Sequence, residues 1–224
     1  MSQVVKIDES EALRNALQRA VSIIAEGGIV AFPTESFYGL GVDATNSSAI
    51  ERLFLVKKRN PSIPILILIS SINELSKYAA SIPSDALELG RRFWPGGLTM
   101  LLDASQDVPS LLTAGTGKIG IRVSDHPLAR ALTLALNVPI TGTSANISGE
   151  PPCTRADQVV ECLGAQIDLI LDGGVTKGTQ PSTVLDVTSN PPLLIREGII
   201  KAEELISSGI YGKILVSDHQ QEDA

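Results

Sequence analysis

G-I-V-A-F-P-T-E-S-F-Y-G-L-G-V-D, residues 28–43, is the stretch on which the reading of this chain turns. Ile29, Val30, Ala31 and Phe32 form a short apolar run, the pattern of a buried strand. Pro33 has no amide hydrogen and stops the ladder. Thr34, Glu35 and Ser36 then set three oxygen-bearing side chains at the mouth of that strand, and Phe37 and Tyr38 add aromatic surface. Gly39 and Gly41 allow positive φ or the close approach of a ligand. Open α/β sheets bind ligands just beyond strand ends. Taken alone, the stretch reads equally as a site or as a strand, a turn and a return strand.

Upstream, residues 8–26 read as an amphipathic helix, with Asp8 and Glu11 as a capping box and Leu13, Leu17, Ile23 and Ile24 mainly on one face. Downstream, Asn46 or Ser47 caps a helix that points Ile50, Leu53 and Phe54 inward and ends in Lys57-Lys58-Arg59-Asn60-Pro61. Cations in a last helical turn are favoured by the dipole, so the default reading of that run is a solvated helix end. The run 63–69 suits a central strand buried on both faces. Ser71 with Glu74, and Ser84 after Pro83, start further helices, the second stopped by Trp94-Pro95-Gly96-Gly97 with an anchoring indole. Strands are expected at 98–103, 119–123, 139–143, 169–172, 183–187 and 193–197. Helices are expected at 127–136, entered through His126 and Pro127, at 154–163 capped by Thr154, and at 202–208. The polar, Gly-rich segment 104–118 is the candidate mobile loop and 218–224 a frayed end. Strands alternating with helices make the chain α/β, and the closely spaced late strands point to a mixed sheet. One domain over 1–210 with a polar tail at 211–224 is the expected organisation.

Composition limits the function. With 224 residues, 43% hydrophobic and 19% charged, the chain has the make-up of an ordinary soluble globular protein. A net charge of −7 argues against general binding to nucleic acid or anionic membranes, though a local basic pocket is compatible with it. Cys153, Cys162, His126 and His219 are too few and scattered for a zinc site, and the two thiols read as inert and reduced, as in a cytoplasm. The N-terminus shows no signal-peptide core, and no apolar run is long enough to span a bilayer.

No nucleophile elbow, P-loop, zinc-protease helix or dinucleotide fingerprint is present. What recurs is strand ends carrying hydroxyls, amides or single cations: Thr34 and Ser36, Arg122, then Ser144, Asn146 and Ser148, then Ser182 and Thr183, then Arg196. Arg52, Lys57, Lys58 and Arg59 cluster soon after the first of these. Alternation could place Arg122 and Arg196 on a solvent face. Pointing inward, each guanidinium needs an anion, and arginine matches carboxylate and phosphate in bidentate geometry. Hydroxyls and cations gathered on one face suit an anionic, multiply oxygenated ligand, phosphates plus a small carboxylate best.

Seven segments, P-T-E-S-F-Y-G-L-G (33–41), K-K-R-N-P (57–61), F-W-P-G-G-L-T (93–99), I-R-V-S-D-H-P (121–127), T-S-A-N-I-S-G (143–149), S-T-V-L-D (182–186) and I-R-E-G (195–198), together resemble the YrdC family of threonylcarbamoyl-AMP synthases. The resemblance implies a twisted, open mixed α/β sheet with flanking helices and a concave basic cleft. It implies that L-threonine, bicarbonate and ATP, with Mg²⁺, give threonylcarbamoyl-adenylate and pyrophosphate. The product then passes to a tRNA threonylcarbamoyltransferase complex, with a weak tRNA contact possible and no membrane involved. By the same resemblance Thr34, Arg122 and Ser144 hold threonine. Lys57 and Arg59 act on the ATP phosphates as the catalytic cations, with Lys118, Asn146, Thr154, Ser182 and Arg196 completing the nucleotide site; no metal ligand is assigned. Ser36 stands where the family has threonine, Gly97 where it has proline, and Asn60 separates Arg59 from Pro61. Two other readings stay open: an RNA-binding module without chemistry, against which the acidic charge counts, and a carbamoyl-adenylate domain like those of hydrogenase maturation proteins, normally part of longer chains.

Overall fold

The computed structural model describes residues 3–7, 10–178 and 180–217. In chain order, β1 (Gln3–Lys6) leads to α1 (Ser10–Ala25), then to β2 (Val30–Pro33) and β3 (Tyr38–Gly41). Helix α2 (Ser47–Lys57), β4 (Leu66–Leu68), a 3-10 turn (Ile72–Glu74), α3 (Leu75–Tyr78) and α4 (Ser84–Phe93) follow. Next come β5 (Leu98–Asp103), α5 (Ser110–Thr113), β6 (Lys118–Arg122), α6 (Pro127–Leu136), β7 (Ile140–Ser144) and α7 (Ala156–Leu163). The chain closes with β8 (Leu169–Asp172), β9 (Thr183–Asp186), β10 (Leu193–Arg196), α8 (Ala202–Ser207) and β11 (Leu215–Val216).

The strands form one mixed sheet in the order β1-β8-β2-β3-β7-β4-β6-β5-β9-β10-β11. Strand alternation sorts its two faces. Val30 and Phe32 pack with Ala16, Ala20 and Ile24 of α1 and Leu128 and Leu132 of α6, whereas Ile29 and Ala31 join the larger core with α2, α4 and α7. This is the α/β class the sequence pattern predicts, with helices on both faces. Among the described residues no helix is long and apolar enough to cross a membrane.

Registers decide which residues can meet. β5 pairs Met100 with Ile121 of β6 and Leu98 with Thr183 of β9, and β10 pairs Arg196 with Val184. The C-terminal ends of β6 and β10 and the start of β9 therefore share one end of the sheet. Lys118 pairs with Asp103 and lies at the other end of β6.

Several local expectations need correction. The strand in 63–69 is only Leu66–Leu68: Pro64 has no amide hydrogen, and the Ile63 and Pro64 carbonyls accept from the Arg59 guanidinium. Segment 104–118 is pinned, because α5 buries Leu112 and Thr113, and the Leu112 carbonyl accepts from the Ile65 amide. Pro83, not Ser84, occupies the cap position of α4. Arg155, not Thr154, occupies that of α7, with the Gln158 side chain folding back to the Thr154 and Arg155 amides. The helix end at Lys57 is not solvated, since Lys57 is 1% exposed. The Asn46 cap, the Trp94 indole donating to the Leu98 carbonyl, and the His126 ring accepting from the Leu128 amide match expectation. The Asp8 cap and the end 218–224 lie outside the described residues.

Candidate functional site

The β2–β3 connection is a tight turn. The Thr34 amide and hydroxyl both donate to the Phe37 carbonyl, and Thr34 Oγ1 accepts from the Ser36 amide at 3.2 Å. Glu35 projects from the tip towards the end of β6. Its Oε1 lies 2.7 Å from Arg122 Nη1, both side chains being more than nine-tenths buried, and its Oε2 accepts from the Ser124 hydroxyl. Arg122 is thus inward, not on a solvent face, and its anion is Glu35. The turn also meets β7, where Gly39 pairs with Ser144, and the 176–178 segment, where the Gly178 amide donates to the Ser36 carbonyl.

A second cluster joins the end of α2 to the loop after β7. Lys57 Nζ donates to the carbonyls of Ser144 (2.6 Å) and Asn146 (2.8 Å) and lies 3.4 Å from Asn146 Oδ1. The Ser144 hydroxyl donates to Asn146 Oδ1, and Asn146 Nδ2 donates to the Ile147 and Glu150 carbonyls. Burial, and secondarily the charge of Arg59, lower the Lys57 ammonium pKa to about 7. Lys57 therefore stands behind the 144–146 loop with its donors committed to it.

The third cluster sits where β9 starts. Arg196 Nε and Nη2 donate to the Ser182 carbonyl, and the buried Ser182 hydroxyl accepts from Thr99 Oγ1 at 3.0 Å. Gly96 donates to the Val123 carbonyl and Thr183 to the Gly97 carbonyl, which ties this cluster to the segment after Arg122. Thr154 joins from the other side. A Cβ on Gly178 would lie 2.3 Å from Thr154 Cγ2 and 3.6 Å from the Phe37 ring. Thr34, Arg122, Ser144, Asn146, Thr154, Ser182 and Arg196 are linked in this way around the hairpin turn. Arg59 is held against the 63–64 carbonyls. Lys118 stands apart, ion-paired at 2.6 Å to Asp186; burial alone would raise the pKa of that carboxyl, but the Lys118 and Thr188 contacts outweigh it and hold it below the usual range.

Among the described residues, the buried side-chain atoms without a hydrogen-bond partner are Glu35 Oε1, Ser36 Oγ, Arg122 Nε and Ser148 Oγ. Glu35 Oε1 is within ion-pair distance of Arg122 but not aligned for a hydrogen bond. Each such group costs about 1–3 kcal/mol if nothing satisfies it. All four lie on the hairpin turn, the end of β6 or the loop after β7. Among the described residues no group of three or more His, Cys, Asp or Glu is placed to hold a metal ion.

Sequence reasoning did not assign roles to Glu35, Ser124 or Thr99. The signal available for Glu35 was its own position: an acid flanked by hydroxyls at a strand mouth, in a chain whose strand-borne arginines require anions.

Comparisons with known proteins follow the same outline. Residues 22–198 match the Sua5/YciO/YrdC family model, described as "Telomere recombination". A threonylcarbamoyl-AMP synthase of Pyrococcus abyssi is 41% identical over 202 residues, covering 87% of this chain and 59% of that protein. One of Vibrio vulnificus is 36% identical over 184 residues, covering 81% of this chain and 98% of its own. The crystal structure of P. abyssi Sua5 complexed with L-threonine superposes with a TM-score of 0.89 at 38% identity, over 97% of this chain and 62% of that one. The chain thus spans about three-fifths of the archaeal relative and nearly all of the Vibrio one. The family model covers most of the chain and the Vibrio relative is matched nearly end to end, so this chain belongs to the Sua5/YciO/YrdC family.

Proposed function

We propose that this chain is an L-threonylcarbamoyladenylate synthase, converting L-threonine, bicarbonate and ATP to threonylcarbamoyl-AMP and pyrophosphate in the cytoplasm. The observation that carries the reading is the set of unsatisfied buried polar atoms on the hairpin turn, β6 and the loop after β7. They lie on three of the family motifs, 33–41, 121–127 and 143–149, and suit a ligand that brings both acceptors and a donor. In this reading Arg122 receives the threonine carboxylate through its unpartnered Nε, with Thr34 and Ser144 beside it. Asn146, Thr154, Ser182 and Arg196 take the nucleotide. Arg59 would turn from the Ile63 and Pro64 carbonyls to reach the phosphates, and Lys57 fixes the 144–146 loop and adds positive charge behind it. Lys118 is the outlying member of the set and would reach the nucleotide only by leaving Asp186.

No protein nucleophile is required. Threonine's amine and bicarbonate form a carbamate with loss of water, and a carbamate oxygen attacks the α-phosphorus as the bond to pyrophosphate breaks. The side chains position the reactants and balance the charge that develops. Mg²⁺ would accompany the triphosphate, bound chiefly by its phosphates, and neutralise the leaving pyrophosphate. The adenylate would pass to a tRNA threonylcarbamoyltransferase complex, with at most a weak tRNA contact from this acidic chain.

Pyrophosphate release is the test, measured with ATP and bicarbonate against each amino acid. Release that depends on threonine is expected. RNA binding without turnover, or turnover with carbamoyl phosphate and no threonine, would replace the proposal. Arg122→Lys keeps the charge but loses the planar fork. It is expected to lower kcat/KM for threonine roughly 30-fold or more, about 2 kcal/mol. An unchanged value would remove Arg122 from the threonine site.

A further inference from the structure

Cys153 and Cys162 are nine positions apart, yet their sulfurs lie 3.5 Å from each other. Cys153 is buried and Cys162 half-buried. A cavity lined by both, with Pro151, Pro152, Gln158 and Glu161, gives the pair an access route. The sulfurs also adjoin the candidate site. Cys162 Sγ is 3.8 Å from the carbonyl of Ala145, which stands between the two residues that Lys57 holds. The Cys153 carbonyl accepts from the Tyr38 amide beside the hairpin turn, and Thr154 follows directly.

Neither thiol has a part in the proposed chemistry. We propose that Cys153 and Cys162 form a reversible oxidation site, at which hydrogen peroxide converts the facing thiols to a disulfide that stiffens the segment carrying Thr154. The half-buried Cys162 reacts first. Its thiolate attacks one peroxide oxygen, the O–O bond breaks, and the departing hydroxide takes a proton to leave as water. Cys162 is then a sulfenic acid. Cys153 gives up its proton and attacks the Cys162 sulfur; the S–O bond breaks and a second water leaves. Two electrons have passed from the sulfurs to the peroxide. The hydrogen bond from Cys153 favours the Cys162 thiolate, while that same bond and burial hold the Cys153 thiol protonated, which suits Cys162 as the first sulfur to react. A disulfide has sulfurs about 2.05 Å apart, so closure moves them together by roughly 1.5 Å. That draws the last turn of α7 towards residues 151–154.

The test uses the full chain, reduced and then treated with hydrogen peroxide, with unreacted thiols alkylated before intact-mass measurement. The expected product is monomeric, lighter by two hydrogens, with neither cysteine alkylated, a Cys153–Cys162 linked peptide on digestion, and full reversal by dithiothreitol. In Cys153→Ser, the Cys162 sulfenic acid has no partner and should be trapped by dimedone; Cys162→Ser should stay alkylatable at the same dose. Two alkylated thiols, an intermolecular link, or over-oxidation of one sulfur without a link would overturn the proposal. The expected consequence, which rests on the function proposed above, is weaker ATP binding by the oxidised form only. Failure of the reduced protein to bind ATP would count against that function and leave the mass result to judge the disulfide.

Discussion

Lys57 shows how much chemistry one buried charge can carry. The residue is 1% exposed, its ammonium is held by oxygens of Ser144 and Asn146, and burial with the nearby Arg59 charge lowers its pKa from 10.5 to about 7. A folded-state pKa below the unfolded one means that the unfolded chain binds more protons between about pH 7 and 10.5. Through that window the contribution of Lys57 to stability rises with pH, and below it this group adds no slope. Urea unfolding should therefore give a stability that climbs from about pH 7 to about pH 9, below the range where the tyrosines titrate. Lys57→Met, which has no proton to lose, should flatten that climb; equal slopes in the two proteins would show that the ammonium is not buried when folded. The motif K-K-R-N-P made Lys57 legible as a functional candidate, but not its burial. A cation in a last helical turn normally faces water, and only the packing of the loop after β7 over α2 encloses it. Arg122 was legible in the same partial way: its flanking apolar residues require an anion if it points inward, but nothing local says that the anion is Glu35, 87 positions earlier in the numbering.

At the scale of elements, the end of the sheet that bears Ser182 depends on a backbone crossing. A Cβ at Gly198 would lie 2.2 Å from the Pro181 carbonyl oxygen, 2.7 Å from Ser182 C and 2.8 Å from Thr183 N. These are backbone atoms, so relief requires moving the start of β9. The Thr183 hydroxyl bridges the same crossing, donating to the Ile200 carbonyl and accepting from the Gly198 and Ile200 amides. Gly198→Ala is expected to destabilise the fold by about 1–3 kcal/mol, as overpacking does, and to raise the KM for ATP by displacing Ser182. Gly212→Ala, where the added carbon meets nothing within 4 Å, is the matched control and should leave both unchanged. Wild-type ATP affinity in Gly198→Ala would mean that Ser182 does not contact the nucleotide. Elements such as β5, α6 and β8 are readable from sequence because alternation, a proline at the helix start and flanking glycines are local signals. Their grouping is not. The meeting of the hairpin turn with β6, and of β9 with the segment after α4, depends on strand registers that no local pattern specifies.

Across the whole molecule, the sequence indicates a catalytic unit ending near residue 210 and a polar tail beyond it, a boundary that residues 211–217 bring into question. Tyr211 and Ile214 are buried, at 6% and 9% exposure, and β11 adds to β10 through the Leu215 amide on the Pro192 carbonyl and the Ser217 amide on the Leu194 carbonyl. The strand was missed because I-L-V between glycine, lysine and serine is too short to show a period. Its partner β10 ends in Arg196, and the pairing holds Leu193 and Leu194 at the start of that strand. Burying a large apolar side chain contributes about 1.5–3 kcal/mol. Ending the chain after Ile210 removes two such groups and the outer ladder, and exposes the β10 edge to solvent and to other chains. The shortened protein should unfold at lower urea, with a loss of about 3 kcal/mol as the area estimate. Because the strand left without its outer neighbour carries Arg196, which the proposed function sets at the nucleotide, the KM for ATP should rise more than the KM for threonine. If instead its urea midpoint and both KM values match those of the full chain, then 211–217 is the dispensable tail that its polarity suggests, and the fold is complete at residue 210.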